Sequence, residues 1–252
     1  METTGPQNVR ISESAGASAW FRTTHWSSVL HAADSGSERG GVALSDLCHT
    51  YWHPLYAYVR RSGYSPEDAK DLTQEFFGRL IHKDYLKAVK RDKGKFRSFL
   101  LMALKRFLAN EWDKANRLKR GGGQEVVSFD AQDTEDRFVS EPAHDSSPEK
   151  AFDRRWAMTL LEQVMGQLEA ESQAAGNGHL FGELKALLGG DKSETSYAEL
   201  AQKLSLNEGA LRVCVHRLRQ RYRELLRLEI AQTVETPEAV DDEIRHLFAA
   251  LA

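Results

Sequence analysis

From residue 196 to residue 228 the chain reads SYAELAQKLSLNEGALRVCVHRLRQRYRELLRL, with apolar side chains recurring at steps of three and four. Leu211, Val215, Leu218, Tyr222 and Leu225 therefore share one stripe of a helix, whose turn holds about 3.6 residues; a strand would alternate its side chains instead. Tyr197, Leu200, Ala201 and Leu204 give a shorter preceding helix its inward face, and small Ala201 allows close approach. Ser205-Leu206-Asn207 makes the turn, with Asn207 a good N-cap for the second helix. Helical period runs through the rest of the chain and strand-like alternation is nowhere sustained, so the expected fold class is all-α.

Charge adds a second constraint. The outward face of the longer helix is Arg212, Val213, His216, Arg217, Gln220 and Arg223, and between Arg212 and Arg227 six arginines and His216 stand against one acid, Glu224. The whole chain carries a net charge of -3. Basicity gathered on one element of a mildly acidic chain is a footprint for phosphate, because each neutralised phosphate releases counterions. A face kept merely soluble would mix its signs. In helix-turn-helix docking the first turns of the second helix read base edges while later arginines grip phosphates. Arg212, Val213, His216, Arg217 and Arg219 are accordingly candidate DNA-binding residues. On this segment alone, an amphipathic hairpin with a solvated basic face remains the competing reading.

With 252 residues, 41% apolar and 28% charged, the chain can build one or two small cores, and two domains are expected. No run of about eighteen apolar residues occurs and the opening METTGPQNVRISESAGAS lacks an apolar stretch, so a cytoplasmic protein with no membrane partner is expected. Cys48 and Cys214 lie far apart, which argues against a disulfide framework or a zinc knuckle.

Residues 1–22 read as a disordered tail. Thr23-Thr24 cap a short helix through Trp26, Val29 and Leu30, and after the Gly36–Gly41 break helical period resumes at Val42 and runs to Val59. Ser65-Pro66-Glu67-Asp68 is a strong helix start, Ser65 being the N-cap and Asp68 placed to reciprocate. The helix it opens runs to about Ile81 and buries Ala69, Leu72, Phe76 and Leu80. Asp71, Gln74 and Glu75 cluster on its opposite side, where they either meet a partner or keep the helix soluble.

Residues 91–120 carry ten Lys or Arg against Asp92, Glu111 and Asp113, with aromatic residues interleaved. Such a run attracts a nucleic-acid backbone, and exposed rings can stack on unpaired bases. Phe99, Ala103 and Phe107 define an expected core stripe, with Lys105 and Trp112 on the far side; Arg106, Arg117, Lys119 and Arg120 add to the candidate DNA-binding set. Gly121-Gly122-Gly123 ends this helix. The stretch to about Pro148, where Asp130, Asp133, Glu135, Asp136, Glu141 and Asp145, with Glu149 just past it, outnumber Arg137 and Lys150, reads as a flexible acidic linker. Helical pattern resumes near Glu149, breaks at Gly176-Asn177-Gly178 and continues from His179 to Leu188. Thr236-Pro237 caps a last amphipathic segment whose face of Val240, Ile244, Leu247, Phe248 and Leu251 is expected to pack on the C-terminal domain or on a partner. The expected organisation is thus a tail (1–22), a helical domain (23–120), an acidic linker (121–148), a second helical domain with the helix-turn-helix (149–230) and an extension (231–252).

In this order the pieces resemble an extracytoplasmic-function (ECF) type RNA polymerase sigma factor over residues 23–230. YWHPLYAYVRRSGYSPEDAKDLTQEFFGRLI resembles the start of the family's region two, with Asp71-Leu72-Thr73-Gln74-Glu75-Phe76-Phe77 in place of its D-x-x-Q-E-x-F motif. The resemblance implies that Asp71, Gln74 and Glu75 bind the clamp helices of the polymerase β′ subunit. KFRSFLLMALKRFLANEWDKANRLKR corresponds to the part of region two that melts and reads the -10 element. SYAELAQKLSLNEGALRVCVHRLRQRYRELL resembles the region-four helix-turn-helix that reads the -35 element. Core RNA polymerase (the β′ clamp helices and the β flap) and promoter DNA are the implied partners, with an anti-sigma factor a further candidate.

No catalytic chemistry, cofactor or metal is expected. The chain has no Gly-rich phosphate loop before a helix and no G-x-S-x-G elbow. Cys48, His49 and His53 do not supply a full tetrahedral ligand set. The alternative to the sigma-factor reading is a stand-alone helix-turn-helix transcriptional regulator, which would bind duplex DNA without polymerase.

Overall fold

The computed structural model describes residues 38–81, 95–118, 147–188, 197–234 and 236–252; for residues 38–49, 81 and 115–118 it describes the backbone. The expected tail, the short helix at Trp26, the Gly121–Gly123 stop and the acidic linker lie outside the described residues. Among the described residues the chain forms eight α-helices: α1 (Glu38–Arg61), α2 (Pro66–Ile81), α3 (Phe96–Leu118), α4 (Pro148–Ala174), α5 (Gly178–Leu184), α6 (Tyr197–Lys203), α7 (Glu208–Ala231) and α8 (Pro237–Leu251). A 3-10 turn, Lys185–Leu187, follows α5. The β pairing among the described residues is one isolated antiparallel bridge, Lys95 to Val234. The protein is mostly helical, as the period of its apolar residues requires.

Side-chain caps fix several helix starts. The Asp68 amide donates to Ser65 Oγ (3.1 Å), and Ser65 Oγ donates to the Asp68 carboxylate (2.7 Å). Asp68 thus answers the cap hydroxyl, where reciprocation would have reached the Ser65 amide. Asn207 Oδ1 accepts from the Ala210 amide (2.7 Å), and Thr236 accepts from the Ala239 amide with Pro237 in the first turn. Each such cap contributes about 1 kcal/mol by pairing an amide that has no partner within the helix. One start differs from expectation: α1 begins at Glu38, so Gly40 and Gly41 lie inside the helix and do not break it.

Two compact units divide the chain, one holding 23–164 with Leu226–Ala252 and the other holding Met165–Leu225. These limits differ from the sequence boundaries at 148 and 230, since 149–164 and 226–252 group with the first helices.

The first unit has an aromatic core. Tyr51, Phe76, Phe96, Phe107, Phe152 and Trp156 are fully buried; Tyr51 meets Phe96 edge-on at 5.3 Å, and Phe76 lies 5.7 Å from Phe107. On α3 the buried stripe is Phe96, Leu100, Ala103, Leu104, Phe107 and Leu108, while Phe99, expected in it, is half-buried. On α2 the expected Leu72 is likewise half-buried and Thr73 is fully buried. A hydroxyl fits there because it donates to the Ala69 carbonyl one turn back (2.7 Å).

An ion cluster runs through the same core. Arg97, on α3, donates to both carboxylate oxygens of Glu243 on α8 (3.2 and 3.3 Å) and to Asp153 on α4 (2.5 Å). Lys95 reaches Glu243 at 3.0 Å, His246 reaches Asp153 at 3.1 Å, and the Arg97 guanidinium lies over the Trp156 ring at 5.0 Å. Glu243 is only 1% exposed. Helix α8 therefore packs within the first unit, with Val240 and Leu247 buried beside Glu243. Expected to pack on the C-terminal domain or on a partner, it meets Asp153 and Trp156 of α4 and Arg227 of α7, all within the expected 149–230 span, as well as Arg97 of α3. The reason is electrostatic: a guanidinium taken out of water needs a carboxylate with good geometry, and Glu243 supplies it.

The second unit has a smaller, aliphatic core of Leu184, Leu187, Leu200, Ala201, Leu211 and Val215, ringed by Leu180, Tyr197, Leu204, Leu206, Cys214 and Leu218. The same helix stop occurs twice in it. At the end of α4 the Asn177 amide donates to the Ser172 carbonyl (2.8 Å) and the Gly176 amide to Gln173 (2.9 Å), with Gly176 at φ +75. At the end of α6 the Leu206 amide donates to Ala201 (2.9 Å) and the Ser205 amide to Gln202 (3.1 Å), with Ser205 at φ +55. This left-handed geometry closes a helix and favours glycine, so Ser205 holds it against a local steric cost.

Candidate nucleic-acid interface

The α6–α7 pair is oriented by its core. Leu211 and Val215 point inward, so the helical period turns Arg212, Val213, His216, Arg217, Gln220 and Arg223 to the exposed side. Val213 is 49% exposed, an apolar side chain that a soluble face does not need. Arg212 lies over the Tyr197 ring at 5.3 Å and pairs with Glu208 at 3.6 Å, which aims it along the first turns of α7.

Three further arginines of the run turn to partners within the fold. Arg219 is half-buried and donates to the Leu187 carbonyl (2.6 Å), tying α7 to the turn after α5. Arg221 forks onto both oxygens of Glu171 (2.8 and 2.6 Å) and reaches Glu224 at 3.1 Å; Glu171 foremost raises its pKa. Arg227 pairs with Asp241 at 2.6 Å. The charge counted along the sequence is thus not the charge presented on one face.

On α3, Lys105, Arg106 and Trp112 are exposed, Trp112 by 62%. Lys105 and Trp112 line an open groove of about 360 Å³ with Tyr58, Ser62, Tyr64, Leu108 and Ala109. Lys105 lies 5.8 Å from the centre of the Tyr58 ring and pairs with Glu149, at the start of α4, at 2.6 Å. The hydrogen bond from Lys105 holds the Glu149 carboxyl below its ordinary pKa and raises that of Lys105 itself. The side chain of Arg117, and Lys119 and Arg120 altogether, lie outside the described residues.

On α2, Asp71 and Glu75 are exposed and Gln74 is half-buried. Glu75 pairs with Arg79, which also reaches Glu111 at 2.8 Å and lies over the Phe107 ring at 4.8 Å. Sequence reasoning did not find Tyr58, Tyr64 and Glu149 beside Lys105, nor the inward role of Arg97. No local pattern marks them, because each depends on a partner from another helix.

The side chains of Cys48 and His49 lie outside the described residues, and His53 is half-buried in α1. Among the described residues no group of three His, Cys, Asp or Glu could hold a metal ion, and no helix is long and apolar enough to cross a membrane. Compared with protein-family models, curated proteins and solved structures, the chain finds no match.

Proposed function

We propose that the chain is a bacterial sigma factor of the ECF type, which binds core RNA polymerase and directs it to promoters. The observation that carries this reading is the first half of α7: a capped helix whose inward residues are locked in a small core and whose opening turns present Arg212, Val213, His216 and Arg217. This arrangement supports a helix-turn-helix reading, in which base edges are met at the helix start and phosphates beyond. The exposed aromatic and basic side chains of α3 support a second DNA contact, to an unpaired strand. Asp71 and Glu75, exposed on α2, supply the acidic surface for the polymerase β′ subunit, with half-buried Gln74 on the same side of the helix.

In this account the chain performs no bond chemistry. Stacking and phosphate contacts at α3 offset the cost of unstacking the start region, while α7 holds upstream duplex. The Asp71→Arg, Gln74→Ala double variant is expected to abolish promoter-specific transcription through loss of core binding, with helical content unchanged by circular dichroism. Retained co-purification with β′ would contradict that assignment.

A further inference from the structure

Helix α3 starts without the local signals that open α2, α7 and α8. Ser65, Asn207 and Thr236 cap those three, whereas Lys95 stands at the N-cap of α3, where its carbonyl accepts from the Phe99 amide (3.1 Å). A lysine side chain carries no acceptor for an unpaired helix amide. The first turn, Phe96-Arg97-Ser98-Phe99, holds no acid, and Arg97 with the adjoining Lys95 opposes the positive end of the helix dipole. By local rules alone the helix should fray here.

What it lacks comes from the far end of the chain. The Phe96 amide donates to the Thr233 carbonyl (3.1 Å), and Lys95 meets Val234 in the isolated bridge, with Thr233 and Val234 both buried. One carboxylate, Glu243, then gathers Lys95 (3.0 Å) and Arg97 (3.2 and 3.3 Å), which brings negative charge to the helix start. Thr233, Val234 and Glu243 all belong to the unit that contains α3. We propose that Thr233 and Glu243 together are the N-terminal cap of α3, so that the segment after the helix-turn-helix positions the start of the first unit's basic helix. A turn whose amide and charges are satisfied from 148 residues away is complete only when that distant segment is docked. This role holds whatever α3 binds. Under the proposed function it makes the C-terminal segment a control point for the α3 DNA contact, because lifting the segment away uncaps the helix that carries it.

The test is amide hydrogen exchange on the full chain, read at Phe96, Phe99 and Leu100 and compared with the amides of α2. Glu243→Gln keeps the size of the side chain and removes its charge. It is expected to speed exchange at the α3 start at least about five-fold while α2 keeps its protection, which corresponds to the loss of one cap. Leu80→Ala, a cavity in the same unit outside the segment, is the control and is expected to cause no selective loss at the α3 start. Adding Lys95→Asp to Glu243→Gln supplies a local cap, and is expected to restore protection there without restoring the Glu243 charge. Exchange at the α3 start that stays at the wild-type rate in Glu243→Gln, or rises only in step with α2, overturns the cap. So does a double variant that exchanges as fast as Glu243→Gln alone, because the segment would then act by packing and not by capping. No DNA or polymerase enters the measurement, so loss of the cap leaves α7 and α2 in their proposed roles, and failed co-elution with core polymerase leaves the cap standing.

Discussion

The basic runs of α3 and α7 resemble one another in sequence and are used differently. On α3, the cation nearest the helix start is drawn into the core: Arg97 sits between Glu243, Asp153 and the Trp156 ring, and Lys95 just before the helix joins it. Further along, Lys105 and Lys114 are held by Glu149 and Glu111. On α7 the order is reversed. The opening turns carry exposed Arg212, His216 and Arg217, and the later arginines turn to Leu187, Glu171 and Asp241. A count of charges along a helix therefore overstates its surface for nucleic acid; what counts is which cations the rest of the fold leaves facing solvent.

The largest effect that would break this contrast is on Arg97. Glu243→Ala leaves the buried Arg97 guanidinium and the half-buried Lys95 ammonium without their shared carboxylate, and is expected to lower stability by about 3–5 kcal/mol. Urea unfolding measures it, and a loss typical of a surface site would show that the cluster is not what ties α8 to the first unit.

Next in size is the contrast within α7 itself. Arg219→Ala removes a charge-assisted hydrogen bond to a carbonyl and is expected to cost about 1.5–3 kcal/mol of stability. Arg217→Ala is expected to weaken binding to promoter DNA and to lower the salt dependence by about one counterion. Equal DNA affinity for wild type and Arg217→Ala at two salt concentrations would remove Arg217 from the interface.

The smallest effect concerns pH. Because Lys105 holds Glu149 below its ordinary pKa, the stability this pair adds is complete above the ordinary value of 4.5 and is lost as pH falls through the lower folded value. Both side chains are more than two-fifths exposed, so screening limits the contribution to roughly 0.5 kcal/mol or less. Glu149→Gln is therefore expected to lose slightly less stability than wild type between neutral pH and pH 3, read from urea midpoints. Identical losses would show that the pair is broken in solution.

Local pattern made much of the helical framework readable. The period of Leu211, Val215 and Leu218 marked the inner face of α7, and Ser65, Asn207 and Thr236 marked helix starts, because both signals act over one or two turns. What it left unread depends on residues far apart in the chain. Arg97 looked like part of a basic surface and is buried, since its partners Asp153 and Glu243 come from two other helices. Thr73 replaced Leu72 in the core because its hydroxyl is satisfied within its own helix, a detail that polarity alone hides. The groove at Trp112 was half legible: the exposed ring and Lys105 could be placed on one side of α3, whereas Tyr58, Tyr64 and Glu149 could not be brought to them without the fold.

The central claim is that this chain supplies promoter specificity to RNA polymerase. Co-elution of the purified chain with core polymerase stripped of its own specificity subunit tests it most directly. A stable stoichiometric complex is the predicted result, and a chain that elutes apart from core at every concentration tried would contradict the account.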